Sequence, residues 1–182
     1  MLMTLQASME LHTISLRRAI KNLSAGGILQ MSAISIETKE ITNQKEIDEA
    51  VNLVTEVFMQ YEAPDYSQEG VDNFFKTALH NAEFMNGLAV YGAYEGQTQV
   101  GVVATRSEGR HIALFFVDGA HHRQGIGRML FEEVKKNAPT KEITVNSSPF
   151  AKDFYHRLGF MDMSEEQTVT GIRFIPMQYI MA

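Results

Sequence analysis

From Ile34 onward, the apolar residues follow two spacings that predict an alternation of strands and helices. Spacing by two residues predicts strands, and spacing by three and four residues predicts helices. The predicted strands cover residues 34–37, 89–94, 99–105, 112–117, 142–145, 161–169 and 172–180. The predicted helices cover residues 44–60, 68–80, 126–138 and 151–158. This order of elements is typical of a mixed α/β (α+β) domain.

Three of the predicted strands also carry information about their place in the sheet. Residues 112–117 are apolar at consecutive positions, which predicts a central strand with both faces covered. Strands 89–94 and 99–105 flank the turn Glu95-Gly96-Gln97 and predict a hairpin. Pro176 cannot donate a backbone hydrogen bond, which predicts an edge position or a bulge for the last strand.

Residues 1–33 lack this regular pattern, so we treat them as an N-terminal extension before a domain at 34–182. Apolar and basic residues between 11 and 23 predict a short amphipathic helix. Three interpretations are open: a non-essential extension before a natural start at Met31, a docking helix, or a basic targeting signal.

The composition excludes several classes of protein. A length of 182 residues suits one core, and a net charge of −6 argues against nucleic acid as the main partner. The lack of Cys excludes disulfides and thiolate chemistry, and the six His show no metal-ligand spacing, so no metal is predicted. No apolar run reaches the roughly 18–20 residues of a membrane span, so we predict a cytoplasmic protein without membrane binding.

The helix predicted from residue 126 begins with unusual charges. A helix N-terminus carries unpaired N–H groups and a partial positive charge, which usually attract acids. Here the turn and first helical turn supply His122, Arg123 and Arg128 and no acid after Asp118. An anion, most simply a phosphate, would balance them. The turn alone is equally consistent with simple close packing, and it matches neither a dinucleotide-binding fingerprint nor a Walker loop.

A second segment, Thr144 to Phe160, predicts a strand, a polar turn and a short helix that ends at Gly159. Taken alone, Tyr155 would be an amphipathic helix residue with its hydroxyl at the surface. Together, the two segments resemble the GNAT family of acyl-CoA-dependent N-acetyltransferases. His122-Arg123-Gln124-Gly125-Ile126-Gly127 resembles its Arg/Gln-x-x-Gly-x-Gly/Ala segment, and Ala151 to Phe160 resembles its Ala-x-x-Phe-Tyr-x-x-Leu-Gly-Phe helix. The resemblance extends from about Ile34 to the C-terminus.

The resemblance implies the GNAT fold, a mixed and mostly antiparallel sheet of about six to seven strands flanked by about four helices. It also implies that the strand before the glycine turn separates from its neighbour, and that the coenzyme arm lies in this gap. The Val117 N–H would then stabilise the charge that develops on the thioester oxygen. Tyr155 would protonate the departing thiolate. The residues that would bind acetyl-CoA are Phe115, Phe116, Val117, His122, Arg123, Gln124, Gly125, Ile126, Gly127, Arg128, and Asn146 or Ser148.

Three positions depart from the family pattern. His122 replaces Arg or Gln, Gly119 replaces a frequent Pro, and Ser148 replaces a frequent Asn, with Asn146 two residues earlier. No general base is evident, and Asp118 is only the nearest acid in sequence. An acidic and aromatic rim suits a cationic amine, and it consists of Phe58, Tyr61, Glu62, Asp65, Tyr66, Glu69 and Asp72.

The sequence therefore predicts an enzyme that transfers acetyl from acetyl-CoA to a primary amine of a small molecule or peptide. Two alternatives are a non-catalytic acyl-CoA binder that regulates a partner, and another nucleotide-phosphate protein. The two closing strands are a candidate homodimer edge.

Overall fold

A computed structural model describes residues 35–181. The expectations for residues 1–34 lie outside the described residues. The eight strands of the described part are β1 (Ile36–Glu40), β2 (Ala89–Glu95), β3 (Thr98–Arg106), β4 (His111–Val117), β5 (Glu142–Ser147), β6 (Met161–Asp162), β7 (Gln167–Val169) and β8 (Ile172–Ile180). The helices are α1 (Gln44–Tyr61), α2 (Gln68–Phe74, continued by a π-helical turn at Phe75–Leu79), α3 (Ala82–Asn86), α4 (Ile126–Asn137) and α5 (Lys152–Leu158).

One mixed sheet organises the fold, in the order β1-β2-β3-β4-β5-β8-β6, with β7 paired to β8. β4 and β5 are parallel, and the other paired strands are antiparallel. The expected hairpin and the central position of β4 are confirmed. The expected mixed, mostly antiparallel architecture is also confirmed.

Two hydrophobic layers cover the sheet. On one face, α1 contributes Val54 and Phe58, which pack with the β3 and β4 side chains Val102 and Leu114. On the other face lies α4, with the buried residues Ile126, Leu130, Phe131 and Val134. The amphipathic spacing seen in the sequence thus corresponds to helices that bury one face each. No helix within residues 35–181 is long and apolar enough to cross a membrane.

The prediction for Pro176 was wrong, because β8 lies between β5 and β6 and pairs with β5 without interruption. The Pro176 carbonyl accepts a hydrogen bond from the Met163 N–H at 2.8 Å, on the side of β8 that faces away from β5. In an antiparallel ladder the N–H and C=O of a residue point to the same side. The missing N–H of Pro176 therefore costs nothing in the β5–β8 ladder.

Some element boundaries also differ from the predictions. The strand predicted at 161–169 consists of β6 and β7, separated by a bend, and β1 begins at Ile36 and runs to Glu40. The five-residue helix α3 was not predicted, because it is too short to show a period. Its N-cap, Asn81, accepts a hydrogen bond from the Phe84 N–H at 3.1 Å.

Candidate active site

A gap between β4 and β5 is the central feature of the site. The two strands pair only at His111 with Thr144 and at Ile112 with Val145. In the β3–β4 register, Thr105 lies opposite Ile112 and Ala104 lies opposite Leu114. Ala113 is therefore an extra residue, a β-bulge that bends its strand. The pairing of β4 with β5 ends at this bulge, and the rest of β4 diverges from β5.

The bulge leaves part of the β4 backbone facing the gap. The Asp118 N–H donates to the Val100 carbonyl of β3 at 2.9 Å. The backbone N–H and C=O groups of successive strand residues point in opposite directions. Those of Asp118 and Phe116 therefore point toward β3, and those of Val117 and Phe115 point into the gap. The hydrogen bonds expected between the Val117 and Phe115 backbone groups and a coenzyme arm stay a prediction.

The turn after β4 presents the uncapped N-terminus of α4. Gly125 has a φ of 86°, a left-handed conformation that favours glycine, and Arg123 has a φ of 62°. Gly125 provides no side-chain cap, and the first turn of α4 contains no acid. Arg123 and Arg128 are exposed, and neither makes an ion pair with any residue in the described range. The cationic helix start seen in the sequence is therefore present in the fold.

Two polar side chains of the turn brace it internally. Gln124 Nε2 donates to the Ala120 carbonyl at 3.0 Å. His122 Nε2 lies 2.9 Å from the Val117 carbonyl, which can only accept, so this ring nitrogen carries a proton. The His122 ring also packs on Tyr61 at a centroid distance of 5.1 Å. In this arrangement, Gln124 can contribute to an anion site through its backbone N–H, whereas the His122 N–H already donates to the Gly119 carbonyl at 3.3 Å.

Close packing explains the other glycine of the turn. A Cβ at Gly127 would lie 2.6 Å from the Phe154 ring of α5, so a side chain there would separate the two helices. Ile126 is almost fully buried and anchors the start of α4 in the core. The helix N-terminus is therefore held rigidly beside the gap.

A cavity of about 460 Å³ continues the gap toward the α1–α2 face. β4 contributes residues 112–116, β5 contributes Val145 and Asn146, and α5 contributes Tyr155. The other walls come from the α1–α2 segment and from β7 and β8. β4 and α5 thus meet at one cavity, whereas Val117 and the turn from His122 to Arg128 are not among the residues that line it.

Tyr155 is 4% exposed and packs edge-on against Phe115 across the gap, at a centroid distance of 6.1 Å. Burial, and then the negative charge of Glu62, raise the pKa of Tyr155 far above its ordinary value of 10.0. The phenol is therefore always protonated at physiological pH. Within the described residues, its hydroxyl makes no hydrogen bond to the protein. An unpaired donor thus faces the cavity.

Glu62, at the C-terminal end of α1, is the carboxylate of this cavity. Burial raises its pKa from the ordinary 4.5 to about 7, although a hydrogen bond from the Ser148 hydroxyl partly stabilises the charged form. A carboxylate with this pKa exchanges protons near neutral pH. The sequence placed Glu62 in an acidic rim and did not single it out as a base, because burial is a tertiary property.

The remaining predicted residues occupy different positions. Asn146 and Ser148 both line the cavity, and the Ser148 hydroxyl accepts the Ala151 N–H at 3.2 Å. Asp118 pairs with His121 at 2.7 Å and caps the turn at Ala120, so it stabilises the loop. Of the expected acidic rim, only Glu62 and Tyr66 line the cavity.

Comparisons with known proteins agree with this geometry. A family model described as an acetyltransferase (GNAT) domain matches residues 62–181, well over half of the chain. The chain therefore belongs to the GNAT family of acetyltransferases and is an acyltransferase. No curated protein matches it.

Solved structures share the fold at low sequence identity. A GCN5-related N-acetyltransferase from Rhodopseudomonas palustris has a TM-score of 0.68 at 19% identity, covering 85% of this chain and 100% of its own. The PaiA N-acetyltransferase from Thermoplasma acidophilum, solved with coenzyme A, has a TM-score of 0.64 at 16% identity, covering 80% and 99%. FeeM, an N-acyl amino acid synthase from uncultured soil microbes, has a TM-score of 0.59 at 16% identity, covering 80% and 91%.

Proposed function

We propose that this acyltransferase moves the acetyl group of acetyl-CoA to a primary amine by direct attack on the thioester. The observation that carries the proposal is that a protonated tyrosine, Tyr155, and a carboxylate of raised pKa, Glu62, face one cavity that opens from the β4–β5 gap. An acyl transfer to an amine needs a proton acceptor and a proton donor in this arrangement.

The donor would lie with its diphosphate at the N-terminus of α4 and its pantetheine arm in the gap. The unpaired N–H groups of α4, with Arg123 and Arg128, suit the phosphates. The backbone groups of Phe115 and the N–H of Val117 would face the arm, since the Val117 carbonyl already accepts a hydrogen bond from His122 Nε2. The coenzyme A in the Thermoplasma acidophilum PaiA structure supports a coenzyme of this type here.

The chemical step begins when Glu62 accepts a proton from the acceptor ammonium. The nitrogen of the resulting amine then has a free lone pair. The amine nitrogen attacks the thioester carbon, an N–C bond forms and the C–S bond breaks with its electron pair on sulfur. A backbone N–H in the gap stabilises the charge on the carbonyl oxygen. Tyr155 gives its proton to the sulfur, the second proton that the attacking nitrogen must lose restores the phenol, and Glu62 releases its proton to solvent.

The two groups are coupled electrostatically. Glu62 in its charged form raises the pKa of Tyr155, after the larger effect of burial. When Glu62 takes the proton of the amine, this contribution disappears and Tyr155 becomes a stronger acid. The acid is thus strengthened at the step at which the thiolate leaves.

A thiol-release assay with acetyl-CoA and a panel of amines tests the proposal, with acetyl-CoA binding measured by calorimetry in parallel. We expect binding, and amine-dependent release of coenzyme A with formation of the N-acetyl product. Binding without release for every amine would indicate a non-catalytic acyl-CoA protein. The absence of binding would overturn the assigned donor.

A further inference from the structure

Two segments that touch directly border the acceptor side of the cavity, and we call this border the roof. A Cβ at Gly70 of α2 would collide with the carbonyl oxygen of Gly171 in the β7–β8 turn. Asn73 Nδ2 donates to Thr170 Oγ1 at 2.7 Å between the same segments. α2 and the β7–β8 turn are therefore in backbone contact above the cavity.

Further hydrogen bonds extend this contact toward the α1 end of the cavity. The Tyr66 hydroxyl donates to the Arg173 carbonyl at 3.2 Å, and the Arg173 guanidinium donates to the Asp65 carbonyl at 3.3 Å. A roof fastened at several points favours a small acceptor that fits inside the cavity over a polypeptide that lies across it.

The charges of the cavity are placed toward opposite ends. Among its lining residues, Glu62 is the carboxylate and Arg106 is the permanent cation. Glu62 lies near Ser148 and Tyr155, whereas Arg106 pairs with His111 at the start of β4. Arg106 makes no ion pair with another residue of the described range. An unpaired guanidinium beside a cavity suits a carboxylate or another oxyanion.

His111 adds no positive charge at this end. Burial, and then the nearby Arg106, lower the pKa of His111 from 6.5 to about 4, so its ring is neutral at pH 7. The ring also lies 2.8 Å from the Thr144 hydroxyl. Recognition of an anion here therefore depends on Arg106.

The wall between the two ends is long and mostly apolar. Ile112 to Phe116 of β4 line it and span roughly 10 Å, because the bulge at Ala113 leaves three regular steps of about 3.3 Å. Phe74 and Phe174 line the cavity as well. An α-amino acid, whose carboxylate is two bonds from its amine, is too short to reach both charges. A longer apolar linker fits the distance.

We propose that the acceptor is a small primary amine that carries an anionic group several bonds away, such as an ω-amino carboxylate. This inference rests on the proposed acetyl transfer. The ammonium binds at Glu62 next to the thioester, the carbon chain packs along β4, and the anionic group pairs with Arg106.

Three acceptors that share a free amine test the inference: 6-aminohexanoate, hexylamine and a ten-residue peptide with one lysine. We expect kcat/KM for 6-aminohexanoate to exceed that for hexylamine by roughly 10- to 100-fold, the usual value of a charge-assisted hydrogen bond. We expect the peptide to be the poorest of the three.

Arg106→Gln isolates the contribution of the guanidinium, with Arg110→Gln as the matched control. Arg110 lies outside the cavity and pairs with Glu108 at 3.0 Å. We expect Arg106→Gln to raise the KM for 6-aminohexanoate by roughly 10- to 100-fold. The KM for hexylamine and the Kd for acetyl-CoA should stay unchanged, as should all three constants in Arg110→Gln.

The outcomes separate this inference from the proposed function. Equal use of hexylamine and 6-aminohexanoate, or efficient use of the peptide, overturns the acceptor class and leaves acetyl transfer standing. The same conclusion follows if Arg106→Gln and Arg110→Gln behave alike. A lack of thiol release with every acceptor overturns the proposed function itself.

Discussion

The hydroxyl of Tyr61, at the C-terminal end of α1, occupies the space where a Cβ at Gly119 would lie. The Tyr61 ring is also packed between His122 and Phe150, at centroid distances of 5.1 and 5.2 Å. Tyr61 thus connects the turn after β4 with the turn after β5, beside the gap. Gly119, which replaces a frequent proline of the family, permits this contact.

Gly119→Ala should destabilise the protein by about 1–2 kcal/mol, because Tyr61 must leave its position between two rings. Tyr61→Phe removes the hydroxyl, so the double variant should recover part of this loss. Urea unfolding of the four proteins measures the coupling as a double-mutant cycle. Gly87→Ala is the control, since a Cβ there meets only ordinary contacts at 3.5 Å. If the two changes in the free energy of unfolding are strictly additive, the Tyr61 hydroxyl is not the reason why residue 119 must be glycine.

Tyr155→Phe should lower kcat by roughly 100-fold or more, because the departing thiolate loses its proton donor. The Kd for acetyl-CoA should stay within about twofold, since the ring and its packing on Phe115 are kept. Single-turnover product formation and calorimetry measure the two quantities. Wild-type turnover in this variant at saturating acetyl-CoA would remove Tyr155 from the chemistry.

Activity should depend on the protonation of Glu62. Burial raises its pKa to about 7, so the basic form dominates above pH 7, and kcat/KM should rise as the pH increases through this value. Glu62→Gln should abolish this limb of the profile and lower kcat/KM by roughly 100-fold. Profiles from about pH 5.5 to about pH 9 measure it, with Glu69→Gln, an exposed acid outside the cavity, as the control. An unchanged limb in Glu62→Gln would assign the titration to another group.

The same carboxyl should affect stability with the opposite pH dependence. Its pKa in the folded state, about 7, lies above the ordinary 4.5, so the folded protein holds this proton more tightly. The stabilisation is complete below pH 4.5 and is lost as the pH rises through 7, by up to roughly 3 kcal/mol. The Tm of Glu62→Gln minus the Tm of wild type should therefore increase from pH 5 to pH 8. A pH-independent difference in Tm would contradict a raised pKa.

The exposed arginines of the turn should contribute to coenzyme binding through charge. Arg123→Gln and Arg128→Gln should each weaken acetyl-CoA binding by several-fold, and the loss should shrink as salt concentration increases. Arg157→Gln, in the last turn of α5, is a charge-matched control. Calorimetric titrations at low and high salt measure the effect. Equal affinities in all three variants would assign phosphate binding to backbone groups alone.

The sequence by itself determined the order of the longer helices and strands, the central strand β4, the two characteristic segments and the cationic start of α4. Each of these depends on local spacing or on residue type, which the chain displays directly. The resemblance of two short segments to GNAT motifs was sufficient to identify the family. The glycines, the tyrosine and the number of residues between them can be read directly from the sequence.

Only the tertiary structure decided which side chains meet. The pKa of Glu62 is raised because its side chain is buried where α1 ends, beside Ser148 and Tyr66. Gly127 is small because Phe154, twenty-seven positions away, packs on it. β8 can lie inside the sheet because the backbone of Pro176 points its carbonyl, and the side that lacks an N–H, away from β5. Burial, close approach and backbone direction arise from contacts between distant segments, so no local pattern could show them.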